Sequence, residues 1–200
     1  MLGKFLTAAI PEPVICMSIR LRPYSLGASL LLTRFSSPFI TGGAIAIDDL
    51  TLAVILCSQT WVENLNFISG KDATAEFALK KWRGKLPKDF NFVLASNLFT
   101  KYLSAATGKD AMPMIECDEK DMHTSKAPPE LNWIVVCQIL GQGLHEILDQ
   151  PYGLTRWLVA GYGESQGLLR IVHPIPERTL KQQEKDKALF KQMMEEHGPR

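Results

Sequence analysis

"IRLRPYSLGASLLLTRFSSPF", residues 19–39, sets two arginines around a leucine, adds a proline, and then runs through leucines to a second proline. The arginines could hold an anion, or they could belong to a scaffold. Ile19 and Leu21 alternate with Ser18, Arg20 and Arg22, the period of a short strand within residues 14–22 whose arginines face outward. Pro23 has no N–H to continue a ladder. Ser25 is suited to cap a helix running to about Arg34, with Leu26, Leu30 and Leu31 on one face and Gly27 as its weak point. The segment therefore reads as strand, turn and helix, and the rest of the chain continues in helices.

"SSPFITGGA" reads as a loop with proline and paired glycines. Asp48 and Asp49 stand where negative charge favours a helix start, ahead of "LTLAVILCS", which is apolar almost all round and suits a central, buried helix. "TWVENLNFI" is a shorter helix. Asp72 caps "ATAEFALKKWRGK", which carries its cations in the last turn. The clearest amphipathic helix spans about Asp89–Thr107. Leu94, Leu98, Tyr102 and Ala105 form its stripe, with Phe92, Ala95 and Phe99 widening it. "ELNWIVVCQILGQG" reads as a buried helix, "LHEILDQP" as one or two turns, and "YGLTRWLVAGYGESQGLL" as a helix loosened by Gly161 and Gly163. "HPIPE" reads as a linker.

The expected fold is mainly α, a compact multi-helix domain with a short N-terminal strand or hairpin and a charged C-terminal helix. Residues 1–176 form the helical domain, with a mobile insertion at about 109–129, and residues 177–200 form the charged helix. The tail's few apolar residues, Leu189, Phe190, Met193 and Met194, are the candidate partner-binding face. That narrow stripe packs on the body, pairs with another chain or frays.

Lys plus Arg (22) nearly equals Asp plus Glu (21), so no overall field draws nucleic acid or anionic lipid. The basic cluster "KKWRGKLPK", residues 80–88, has the basic and aromatic residues of a nucleic-acid backbone contact. Cations at a helix C-terminus explain most of it equally well, and with a net charge of +1 no nucleic-acid partner is expected. Cys16, Cys57 and Cys137 lie in apolar runs, and the four cysteines have neither CxxC nor CxxH spacing, so buried thiols are expected. The apolar run from Phe5 to Ile10 is short for a signal-peptide core, and no stretch suits a bilayer span, which points to the cytoplasm.

The strongest chemical motif is "HEILD", residues 145–149. A zinc-protease helix needs His-Glu-x-x-His to place two ligands on one face; here Asp149 takes the second place and Pro151 soon follows. A metal-dependent hydrolase built on His145, Glu146 and Asp149 is thus an alternative, and a polar helix face beside Leu144, Ile147 and Leu148 is the favoured reading. "GYGESQG" lacks the spacing of a phosphate cradle, "GASLLL" lacks a nucleophile elbow, and His123, His173 and His197 have no partner at ligand or triad spacing. No catalytic residue, metal or cofactor is expected.

Leu21, Arg22, Pro23, Tyr24, Ser25 and Leu26, then Ser37, Pro38 and Phe39, then Asp49 and Leu50 follow an order that resembles small helical proteins encoded among the tail genes of tailed bacteriophages. "GLHEILDQPYGLTRWLVAGYGESQGL" is similar to the helix pair of phage tail assembly chaperones. The resemblance covers about half of the chain. It implies a non-enzymatic morphogenesis protein that binds tape-measure and tail-tube proteins, with a structural neck, connector or tail component of the virion as the alternative. A homo-oligomer is compatible with either.

Overall fold

The computed structural model describes residues 2–69, 90–108, 111–116 and 128–172, together with the single positions 80, 82, 84, 86 and 187. The expected C-terminal helix with Leu189, Phe190, Met193 and Met194 lies outside the described residues, as do His123, His173 and His197, most of the basic cluster and most of the helix expected after Asp72.

The fold is mainly helical. In chain order the elements are α1 (Leu2–Ala9), β1 (Ile15–Cys16), β2 (Ile19–Arg20), α2 (Leu26–Arg34), α3 (Pro38–Thr41), α4 (Ile47–Ser58), α5 (Trp61–Ser69), α6 (Phe92–Thr107), β3 (Met114–Glu116), α7 (Pro129–Ile139), α8 (Leu144–Asp149), α9 (Tyr152–Ser165) and β4 (Arg170–Val172). The strand expected over 14–22 is a two-residue hairpin, with Cys16 opposite Ile19 and a reversal at Met17 and Ser18, both at positive φ. That is the turn a tight antiparallel hairpin needs, made here without the usual Asn-Gly. Arg20 and Arg22 face outward while Leu21 is buried.

The backbone of residues 21–26 is the hub of the fold. Leu21 N–H donates to the Val14 carbonyl (2.8 Å) and Arg22 N–H to that of Cys57 (2.9 Å). The Tyr102 hydroxyl donates to the Arg22 carbonyl at 2.8 Å. Tyr152 N–H donates to the Tyr24 carbonyl at 2.7 Å, and Ser25 bridges to Pro151. Ser25 also caps α2 by accepting from Ala28 N–H at 3.1 Å. Residues 21–26 thus tie β2, α4, α6 and α9 together.

Helix α4 is buried as expected, from Leu50 to Cys57 with only Leu52 partly open, and Asp49 accepts from Ala46 N–H (2.8 Å) at its start. It packs against α2, α6 and β2. Three expectations need correction. Helix α6 buries Ala95, Ser96, Phe99, Tyr102 and Leu103, whereas Leu94 is 68% exposed and Ala105 is open, so the inner face is rotated by about one residue from the expected stripe. Apolar residues cover more than half of this helix, so periodicity could not choose the face. Helix α7 is not buried throughout: Cys137 is enclosed, but Leu131, Val135 and Ile139 look outward. Of the insertion expected at 109–129 the structure describes residues 111–116: Ala111 to Pro113 are buried, and β3 pairs antiparallel with β4. Trp157 anchors it by donating Nε1–H to the Ala111 carbonyl at 3.1 Å, a contact no local pattern reveals. Finally, "SSPFITGGA" contains the one-turn α3, entered through Ser36 at positive φ.

Candidate functional site

Helix α1 carries Phe5 and Ala8 at helical spacing, and these dock it on α9. The Phe5 and Trp157 rings meet edge to face at 6.1 Å. A Cβ on Gly153 would come within 2.9 Å of Ala8 Cβ, so the two backbones approach closely. From α1 the chain runs through Ile10 and Pro11 into the hairpin, and these residues and α1 face α6 across an open space.

Between them lies a groove of about 620 Å³. Leu6, Ile10, Pro11 and Val14 form one wall, and Leu98, Ala105 and Ala106 the other. Tyr24 and Tyr102 form the floor, with Glu12 and Lys101 among the lining residues. Leu98 and Ala105 belong to the stripe expected to enter the core; they line the groove instead. Tyr24 also reaches a smaller hollow of about 300 Å³ beside Phe39, Ile45 and Leu103.

The floor belongs to a continuous chain of rings. Phe39 meets Phe99 at 4.7 Å, Phe99 meets Tyr102 at 5.5 Å, and Tyr102 meets Tyr24 at 6.1 Å. Tyr24 then meets Tyr152 at 5.6 Å, Tyr152 meets Trp133 at 5.4 Å, and the Arg156 guanidinium lies 5.4 Å from the centre of the Trp133 ring. Tilted and edge-on rings at these spacings add attraction beyond their burial. Burial pushes the phenols of Tyr24 and Tyr102 well above their ordinary range, so both remain neutral at any physiological pH. The groove offers a largely apolar surface, with Glu12 and Lys101 as the charged residues of its lining.

The thiols have the same character. Cys16, Cys57 and Cys137 are buried and unpaired with one another. Loss of solvent pushes Cys16 up to about 11 and Cys57 to about 12, far from the thiolate that a nucleophile or metal ligand needs.

The "HEILD" residues are not drawn together into one site. Glu146 turns back to accept from Gly143 N–H at 3.0 Å, at the start of its own helix. Asp149 accepts from Trp61 N–H at 2.7 Å, at the start of α5. His145 is exposed. Among the described residues, no three His, Cys, Asp or Glu side chains converge as metal ligands, and no helix is long and apolar enough to cross a membrane.

Of the site residues proposed from sequence, the tail quartet lies outside the described residues. The groove was missed because α1 and α6 lie far apart in the chain: the amphipathic pattern of residues 2–9 marks a helix, but only Phe5 against Trp157 and Ala8 against Gly153 show where it docks. No protein-family model, curated protein or solved structure matches this chain.

Proposed function

We propose that this chain is a phage tail morphogenesis protein that works by holding other chains, as a tail assembly chaperone for tape-measure and tail-tube proteins in the host cytoplasm. The observation that carries the reading is the apolar groove between α1 and α6, floored by Tyr24 of the segment that resembles such proteins. A groove of this size takes the apolar side chains of one amphipathic segment, while Glu12 and Lys101 on its lining select among partners by charge. The two resembling segments also meet: residues 24–26 hydrogen-bond to residues 150–152, so a spacing held far apart in the chain serves one structural unit. Leu189, Phe190, Met193 and Met194 supply a second, adaptable apolar contact. No step requires a catalytic residue, metal or cofactor.

The test is co-purification with the tail-tube and tape-measure proteins of the same genome. Wild type should retain at least one of them, and Leu98→Glu should weaken retention by more than about tenfold, as loss of a central anchor does, with unchanged circular dichroism. Failure to capture either protein, or capture indifferent to Leu98→Glu, sinks the reading. Recovery of the chain in purified particles would move it from chaperone to virion component.

A further inference from the structure

Helix α7 turns Trp133, Ile134 and Cys137 toward the body, and its opposite side is an open apolar ridge. Leu131 and Val135 are each 53% exposed and Ile139 is 60% exposed. We propose that this ridge is the contact face of a two-fold homodimer, in which α7 pairs antiparallel with α7 of a second copy and Val135 sits at the axis.

Spacing is the first argument. Leu131 and Ile139 stand four residues before and four after Val135. An antiparallel pair about a two-fold therefore sets Val135 against Val135 and each Leu131 against the other copy's Ile139, so one ridge is its own complement. A row at i, i+4 and i+8 is also the ridge that packs between helices in the commonest crossing class.

Charge is the second argument. From Leu131 to Leu144 the chain has no charged residue, and Asn132 and Gln138 flank the ridge. Two copies meet there without repulsion, and a strongly charged partner finds nothing complementary.

Area is the third. A standard interface buries about 800 Å² per partner, and homodimer interfaces are about 65% apolar, which asks for about 500 Å² of apolar surface from each copy. The three ridge residues, with the half-exposed Leu140 and Leu144 that follow them in the chain, together expose apolar surface on the order of 500 Å², comparable to the largest patches that monomers leave open. None of these residues lines the α1–α6 groove, so the contact stands independently of the tail assembly reading.

Light scattering on the full chain should give twice 22.3 kDa. Val135→Asp should give a monomer with unchanged circular dichroism. Single cysteines test the register. Under mild oxidation Val135→Cys should form a disulfide-linked dimer above the wild-type background. Leu131→Cys, equally exposed, should not, because its two copies lie about 12 Å apart along the helices. Three results overturn the proposal. One is a wild type that stays monomeric up to about 100 µM, above the micromolar weak end for interfaces of this size; the ridge would then belong to a different chain or to this chain's own C-terminal segment. The others are a dimer that survives Val135→Asp, and equal cross-linking at positions 131 and 135.

Discussion

Gly27 shows how a single position can carry opposite meanings. By helix propensity it is a defect, and alanine there would add about 1 kcal/mol. In the fold, α2 passes so close to α8 and α5 that a Cβ on Gly27 would lie 2.7 Å from both the Leu148 carbonyl oxygen and Trp61 Cε3. The carbonyl is backbone and cannot swing aside. Overpacking of this kind costs about 1–3 kcal/mol and outweighs the propensity gain. Gly27→Ala should therefore lower the urea midpoint; a raised midpoint would mean that α8 yields. Ser25, two residues earlier, was legible because a cap is a local event: its hydroxyl meets an N–H three residues on, whatever the rest of the chain does.

Helix α5 is held at its start by two devices, one local and one remote. Thr60 and Glu63 form a reciprocal cap: the Glu63 carboxylate accepts from Thr60 N–H (2.7 Å) and Oγ1–H (2.9 Å), and Glu63 N–H donates to Thr60 Oγ1 (3.2 Å). Those bonds, the backbone one first, hold the Glu63 carboxyl below its usual range. Asp149 then takes the next free donor, Trp61 N–H, from 88 residues away. This gives "HEILD" a structural purpose that can be separated from metal binding. Asp149→Ala should cost about 1.5–3 kcal/mol, the range for a hydrogen bond to a charged group, and His145→Ala should stay within about 0.5 kcal/mol. Chemical denaturation with and without added zinc decides it, since a metal site would make both changes abolish a zinc-dependent gain. Helix existence was readable in α4, α5 and α6, yet the inward faces of α6 and α7 were not. Both are apolar on too many sides for a period to select one.

Across the whole molecule, burial makes the fold sensitive to alkali. Loss of solvent is the leading cause of raised values at Cys16, Cys57, Cys137, Tyr24, Tyr102 and Tyr152. Unfolded, these thiols ionise near pH 8.5 and the phenols near pH 10, so above those values the native state holds protons that the unfolded chain releases. A raised folded value means that the stabilisation is fully present below about pH 8.5 and is lost as pH rises toward the folded values. Urea midpoints should be level in this respect from about pH 7 to 8.5 and then fall. Cys57→Ala should flatten the decline by up to about 1.4 kcal/mol per pH unit between the thiol's unfolded and folded values. An unchanged slope in that variant would show that Cys57 reaches solvent before the fold opens.

The mainly helical class, the burial of α4, the cap at Ser25 and the outward arginines around Leu21 were all legible in the order of residues. Each follows from period, capping chemistry or composition within a few residues. Tertiary structure alone decided the docking of α1, the pairing of β3 with β4, the groove, and which faces of α6 and α7 look out. Those outcomes rest on contacts between distant segments, such as Trp157 with Ala111, Tyr152 with Tyr24 and Gly153 with Ala8. "LRPYSL" belongs to both accounts: its pattern marks a strand end and a helix start, but only the folded chain makes its backbone the place where four elements meet.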